Sequence, residues 1–137
     1  MKINTIIFFL VLINLFGCKE EKFVKYKYKL TEIDYSEIKN AEIKKKLYDT
    51  ICVKLGETQI KKVCELLNSK NEAELLKIYP KYWIFIKLKN DSIKYFKISD
   101  NYFGEKDVYL KTRIVKDLIS VYENNSKTEC KIETIIK

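Results

Sequence analysis

The chain has 137 residues, with 27 Lys or Arg against 19 Asp or Glu and a net charge of +8. Hydrophobic residues make up 47% of it, enough for a packed core, which excludes an intrinsically disordered protein. Histidine is absent and Arg113 is the sole arginine, which speaks against enzymes with a histidine base and against nucleic-acid binding by bidentate contacts.

The first segment has the layout of a secretory signal peptide. Lys2 supplies the positive start, residues 6–13 are all apolar, and the charged residues 19–22 follow soon after. The apolar run is well short of the roughly 20 residues that span a bilayer. A buried strand or helix of a cytosolic domain is the alternative, but it leaves the abrupt end unexplained. We therefore predict an exported protein.

The end of this segment, Leu15-Phe16-Gly17-Cys18, resembles the lipobox of bacterial lipoprotein precursors. The resemblance implies that the Cys18 thiol receives a diacylglycerol, that residues 1–17 are removed, and that Cys18 becomes the acylated first residue. Phe16 departs from the small residue usual at its position. Two or three acyl chains such as palmitate would hold the protein firmly, because each buried methylene contributes about 0.8 kcal/mol.

The next three residues, Lys19-Glu20-Glu21, resemble the signal that sends some Bacteroidota-type lipoproteins to the outer face of the outer membrane. The alternative is an ordinary charged, solvated tether. The resulting division of the chain is a signal peptide at 1–17, a tether at 18–22 and a single domain at 23–137, whose length suits one compact unit.

Residue patterns predict the elements of this domain in chain order. Alternation predicts strands at 23–33 and at 49–55, the second with Ile51, Val53 and Leu55 on one face. Good helix formers predict a helix at 36–48 after a Ser36 cap. Further helices are predicted at 59–69 (with Thr58 as cap and a stripe of Ile60, Val63, Cys64 and Leu67) and at 71–79, before Pro80.

Residues 81–99 predict a hairpin with a two-residue loop at Asn90-Asp91. This loop would set Leu88 opposite Ile93, Ile86 opposite Tyr95, Phe85 opposite Phe96 and Trp83 opposite Ile98. A loop at 100–106, a strand at 107–112, a helix at 113–125 and a strand at 130–136 follow. The predicted fold class is α+β, an antiparallel meander packed with short helices.

Both faces of this predicted hairpin are apolar. One would carry Tyr82, Ile84, Ile86, Ile93 and Tyr95, and the other Trp83, Phe85, Phe96 and Ile98. Helices that cover both faces are one explanation; a face that stays open to bind a partner is the other. The candidates for partner binding are Tyr79, Tyr82, Trp83 and Phe85, and the partner would be an envelope protein or an anionic surface.

If Cys18 carries lipid, three cysteines remain: Cys52, Cys64 and Cys130. They allow one disulfide with one thiol left over. The absence of His and of a C-x-x-C pair speaks against zinc, and no metal or cofactor is predicted. Alternation turns Cys52 away from the face on which Cys64 should pack, so we predict that these two do not bridge and that any bridge includes Cys130.

Candidate catalytic residues are few. Asp100, Glu105 and Asp107 gather around Gly104, and a small carboxylate-dependent hydrolase is one hypothesis; a solvated loop is the other. No Ser, Thr or Cys has a recognisable activating partner in the sequence. We favour a non-enzymatic, membrane-tethered binding or interaction lipoprotein of the bacterial cell envelope.

Overall fold

A computed structural model of the chain describes residues 28–69 and 72–133. Within these ranges the chain forms eight β-strands, two α-helices and a short 3-10 helix at Tyr35–Glu37. In chain order the elements are β1 (Ile38–Lys44), β2 (Ile51–Lys54), α1 (Glu57–Leu67), β3 (Glu74–Leu75), β4 (Tyr82–Leu88), β5 (Ile93–Ser99), β6 (Tyr102–Glu105), β7 (Val108–Lys111), α2 (Ile114–Asn124) and β8 (Thr128–Glu129).

The strands form one antiparallel sheet in the order β3-β7-β6-β5-β4-β1-β2-β8. Strands β4 to β7 are consecutive in the chain and adjacent in the sheet, so the predicted antiparallel meander is confirmed. The sheet continues beyond β4, where β1 pairs with β4 and β2 pairs with β1. The domain is therefore α+β, as predicted.

Both described helices pack on the same face of the sheet. Val63 and Leu67 of α1 and Val115 and Leu118 of α2 are buried in one hydrophobic cluster with residues from six strands. Those strand residues are Ala41, Ile43, Val53, Tyr82, Ile84, Ile86, Leu88, Phe96, Ile98, Phe103 and Leu110. Each large apolar side chain buried in this way contributes about 1.5 to 3 kcal/mol. The main core thus lies between the helices and one sheet face.

The predictions for α1, β2, β7 and α2 are confirmed. The stripe of α1 faces the core as predicted, with Ile60 partly buried and Val63, Cys64 and Leu67 buried. Its cap is different: the helix begins after Gly56, whose N–H donates to Gln59 Oε1 at 3.0 Å. Val53 of β2 and Leu55, the residue after it, point to the core as predicted, whereas Ile51 is exposed.

The helix predicted at 36–48 is wrong, because Ile38–Lys44 form a central strand. Ala41 and Ile43 face the core, and Glu42 and Lys44 face the other way. The segment contains good helix formers, but helix propensities differ by less than about 1 kcal/mol per residue. Hydrogen bonding to β4 and β2, together with burial, outweighs that preference.

Four other predictions need correction. The helix at 71–79 is wrong, because Glu74 and Leu75 form β3 beside β7. The loop at 100–106 contains β6. Within the described part of the predicted strand 23–33, only Tyr28 makes a β-bridge, with Ala73. The last strand lies at Thr128–Glu129 rather than 130–136; residues 23–27 and 134–137 lie outside the described residues.

Three tight turns depend on residues other than glycine. Asp91, Asp100 and Lys106 have φ values of 68, 50 and 56°, the left-handed region that glycine enters most easily. Each lies in the turn that follows one strand of the meander. With three glycines in the whole chain, these hairpins form at Asp and Lys instead.

Candidate functional site

The register of the β4–β5 hairpin decides which side chains share a face, and it differs from the prediction by one residue. Phe85 lies opposite Tyr95, and Ile84 lies opposite Phe96. The loop has three residues, 89–91, closed by a hydrogen bond from the Leu88 N–H to the Ser92 carbonyl at 2.9 Å. A left-handed residue at the end of a three-residue loop is a common hairpin geometry, and Asp91 supplies it.

This shift regroups the β5 side chains, because neighbours in a strand point to opposite faces. Phe96 and Ile98 join the core face. Ile93 and Tyr95 join Trp83 and Phe85 on the face opposite to the helices.

We call that opposite side the open face, since neither helix of the described residues packs on it. The strand registers assign to it Asn40, Glu42, Lys44, Cys52, Lys54, Glu74, Trp83, Phe85, Lys87, Ile93, Tyr95, Lys97, Ser99, Tyr102, Gly104, Tyr109, Lys111 and Thr128. None of these residues belongs to the core cluster under the helices. The two-sided apolar character seen in the sequence therefore belongs to a core face and an open face.

An aromatic cluster occupies the middle of the open face. The Tyr95 ring lies 5.9 Å from Trp83 and 6.0 Å from Phe85, centroid to centroid, within the range of favourable aromatic pairs. Lys44 Nζ lies 4.1 Å from the Phe85 centroid, and Lys97 Nζ lies 5.7 Å from that of Trp83. Phe85 is 2% exposed, but Tyr95 is 39% exposed. The cluster thus presents aromatic rings and ammonium groups together.

Two buried charged residues of β1 lie beside this cluster. Glu42 accepts hydrogen bonds from the N–H groups of Lys131 at 2.7 Å and Ile132 at 3.1 Å. These bonds hold residues 130–133 against the open face, where Ile132 is buried. Lys44 is also buried, and burial lowers the pKa of its amine, although the charges of Glu42 and Asp49 oppose that change. One side of the aromatic cluster is therefore charged and covered.

A disulfide between Cys52 and Cys130 fastens the same segment to β2. Cys64 is free and buried on α1, and burial raises the pKa of its thiol. The prediction that Cys52 and Cys64 do not bridge, and that a bridge would include Cys130, is confirmed. A Glu42 carboxylate oxygen lies within 4.8 Å of both disulfide sulfurs, but sulfurs bonded to each other offer no thiolate to a metal.

The other end of the open face is covered by the chain between β3 and β4. Strand β3 ends beside the β6–β7 turn, whereas β4 begins beside the β5–β6 turn, so residues 76–81 cross the sheet. The Tyr109 hydroxyl donates to the Ile78 carbonyl at 3.4 Å, which places this crossing on the open face. The Tyr109 ring lies over Gly104, where a Cβ atom would overlap it.

The structure separates the four residues predicted to bind a partner. Trp83 and Phe85 lie together on the open face. Tyr82 lies on the core face, packed edge-on against Tyr122 at 5.2 Å, and its hydroxyl donates to Glu123 at 2.9 Å. Tyr79 is 93% exposed, on the crossing segment.

The sequence prediction missed Tyr95 as a candidate. Tyr95 links Trp83 to Phe85 and is the most exposed ring of the three. Its place on this face depends on the hairpin register, and the only sequence signal for that register is the residue at position 91: Asp tolerates the left-handed conformation better than most residues do.

The three carboxylates of the hydrolase hypothesis do not converge. Asp100 lies in the β5–β6 turn and pairs with Lys81 Nζ at 2.5 Å. Glu105 ends β6, and its carboxylate accepts from the N–H and hydroxyl of Thr31 at 3.0 and 2.8 Å. Asp107 lies in the β6–β7 turn, at the end of β6 opposite to Asp100. Asp100 is therefore separated from Glu105 and Asp107 by the length of β6.

The predicted lipidation site, Cys18, lies outside the described residues. In the part of the chain that the structure describes, no helix has the length and apolar character needed to cross a membrane.

Comparison with protein-family models, with curated proteins and with solved structures finds no match to this chain.

Proposed function

We propose that this chain is a lipid-anchored protein of the bacterial cell envelope, a binding module that acts through the open face of its sheet. The observation that carries the proposal is the one-sided packing of α1 and α2. It leaves Trp83, Phe85 and Tyr95 on a face with lysines that neither of the two described helices covers. Aromatic residues are enriched at the centres of binding surfaces.

The anchor follows from the resemblance of residues 15–18 to a lipobox. The Cys18→Ser variant is expected to accumulate as an unprocessed precursor that incorporates no labelled fatty acid, because the acceptor thiol is missing. Labelling equal to that of the parent chain would contradict the anchor.

The proposed position at the outer face of the outer membrane rests on Lys19-Glu20-Glu21. Replacing all three residues with Ala should leave the protein on the membrane but protect it from protease added to intact cells. Equal digestion of both versions would contradict this position and leave the anchor unaffected.

The binding face is tested by photo-crosslinking in intact cells. A benzophenone amino acid at position 95 should give adducts with an envelope component. The matched control carries the same group at position 116, an exposed position of α2. Equal adducts from both positions, or none from position 95, would contradict binding through the open face.

The carboxylates of the hydrolase hypothesis are divided between the two ends of β6, with Asp100 at one end and Glu105 and Asp107 at the other. We therefore propose a single function.

A further inference from the structure

The charges of the domain are divided unequally between its two sides. The strand residues of the open face include five lysines (Lys44, which is buried, and Lys54, Lys87, Lys97 and Lys111) and two glutamates (Glu42 and Glu74), a net charge of +3. Helices α1 and α2 together contain three lysines and four acidic residues, a net charge of −1. The positive charge is therefore concentrated on the open face.

The uncharged residues of the open face suit a membrane interface. Trp83, Tyr95 and Tyr102 each combine an apolar ring with a polar atom, and such residues are enriched where a bilayer meets water. Ile93 lies opposite Lys87 in the same hairpin. Lysine beside tryptophan and tyrosine is the composition of a surface that contacts headgroups and the adjoining acyl region.

The predominance of lysine over arginine favours a lipid surface over an acidic protein as the partner of the open face. Lysine is depleted and arginine enriched at protein–protein interfaces, and bidentate recognition of carboxylates favours arginine. The sole arginine, Arg113, lies at the start of α2 and not on the open face. A polybasic surface attracts anionic lipids through charge alone, which lysine supplies fully.

We infer that the open face docks the domain onto a bilayer that contains anionic phospholipids, with its lysines other than the buried Lys44 at the headgroups and with Trp83 and Tyr95 at the interface. The inference rests on the proposed function and names the partner of the same face. The segment between the anchor and the domain is short enough for docking, because Cys18 and Tyr28 are ten positions apart and a fully extended chain of that length spans at most about 35 Å.

Trp83 is the only tryptophan of the chain, so its fluorescence reports on this face. The chain as purified from bacterial membranes is reconstituted into vesicles of phosphatidylcholine alone or mixed with phosphatidylglycerol, some with brominated acyl chains. We expect retention on both vesicles. Trp83 emission should shift to shorter wavelength and be quenched by bromine in the anionic vesicles only, and high salt should reverse both changes.

Charge reversal tests the role of the lysines. The double variant Lys87→Glu with Lys111→Glu should lower the ratio of docked to undocked domains by more than about tenfold, because each lysine contributes to attraction by anionic lipid. The matched control, Lys61→Glu with Lys116→Glu, makes the same change of charge on the helical side and should retain docking. If the first variant fails to fold, the parent chain still tests the role of charge, because high salt should reverse the Trp83 changes on anionic vesicles.

The outcomes separate the two proposals. Retention on both vesicles with identical Trp83 signals would overturn docking and leave the anchor standing. Loss from phosphatidylcholine, with docking on anionic vesicles that depends on Lys87 and Lys111, would support docking and contradict the anchor. A Trp83 response to soluble polyglutamate without one to anionic vesicles would overturn lipid docking in favour of an acidic polypeptide.

Discussion

Phe96 and Phe85 are both inaccessible to solvent, but the two faces of the sheet bury them in different ways. Phe96, 0% exposed, lies in the cluster beneath the helices and stacks on Phe103 at 5.2 Å. Phe85 lies under the Lys44 ammonium group and against the half-exposed Tyr95. Two helices cover the core face. Long side chains, the crossing residues 76–81 and residues 130–133 cover parts of the open face.

This difference explains why charge can be buried on one face only. The carboxylate of Glu42 receives two backbone N–H groups from residues 130–133, and such bonds offset the cost of removing a charge from water. Among the described residues, the core cluster under the helices contains no charged side chain. The open face can therefore carry lysines and aromatic rings without disturbing the core.

The largest effect is expected from opening the Cys52–Cys130 bridge, which fastens the cover of the open face. The bridge joins residues 78 positions apart, so its loss should lower the free energy of unfolding by about 4 to 5 kcal/mol in the chain-entropy model. Urea unfolding of the Cys52→Ala/Cys130→Ala variant measures it. Reductant should destabilise the parent chain and leave this variant unchanged.

Hydrogen exchange of the reduced protein sharpens the same comparison. The amides of Lys131 and Ile132 should lose protection, whereas that of Ile84, in the centre of the sheet, should keep it. Equal loss at all three amides would mean that the two faces do not respond separately.

The neighbours Phe96 and Tyr95 provide a direct contrast between the faces. Phe96→Ala should cost about 3 to 5 kcal/mol, since it leaves a cavity under the helices. Tyr95→Ala should cost about 1 kcal/mol, the value of its ring contacts. Denaturant unfolding measures both, and the reverse order would show that the open face is the main core.

A smaller effect is expected at Glu42. Glu42→Gln keeps the size of the side chain but replaces one acceptor oxygen by a donor, so one N–H of Lys131 or Ile132 loses its partner. The expected loss is about 1 to 3 kcal/mol in unfolding free energy. The exposed Glu65→Gln is the control; equal losses in both variants would contradict the role of residues 130–133 as a pinned cover.

The smallest effect is confined to alkaline pH. Burial raises the pKa of Tyr82 on the core face and of Tyr109 on the open face. Their contribution to stability is complete below the unfolded value of about 10 and is lost as pH rises further, because the unfolded chain then releases protons that the folded chain retains. Tyr82→Phe and Tyr109→Phe should each flatten the fall of the urea midpoint above that pH. The exposed Tyr48→Phe should leave it unchanged.

Local pattern predicted the elements in which one residue period is clear. The stripe of α1, the apolar periodicity of α2 and the alternation in β4 and β5 each point to a single structure. The exclusion of a Cys52–Cys64 bridge also followed from local geometry, because the face of Cys52 is fixed by the alternation of β2. The prediction from local pattern is wrong at β1, where residues that favour helices form a central strand.

The candidate site was predicted only in part, and the hairpin loop explains why. Trp83 and Phe85 are close in sequence and on one strand, so their shared face follows from alternation. Their contact with Tyr95 requires the three-residue loop at 89–91. One residue more in that loop, compared with the prediction, moves Tyr95 to the open face and Phe96 to the core.

The sequence by itself determined the α+β class, the antiparallel hairpin, the positive net charge and the absence of histidine, which speaks against catalysis by a histidine base. Only the tertiary structure decided the strand state of Ile38–Lys44, the pairing of Cys52 with Cys130 and the gathering of five lysines on the open face. The physical reason is the distance along the chain over which the interactions act. Periodicity and turn chemistry act over a few residues, whereas strand order and register depend on contacts such as that of Glu42 with Ile132, which are 90 positions apart.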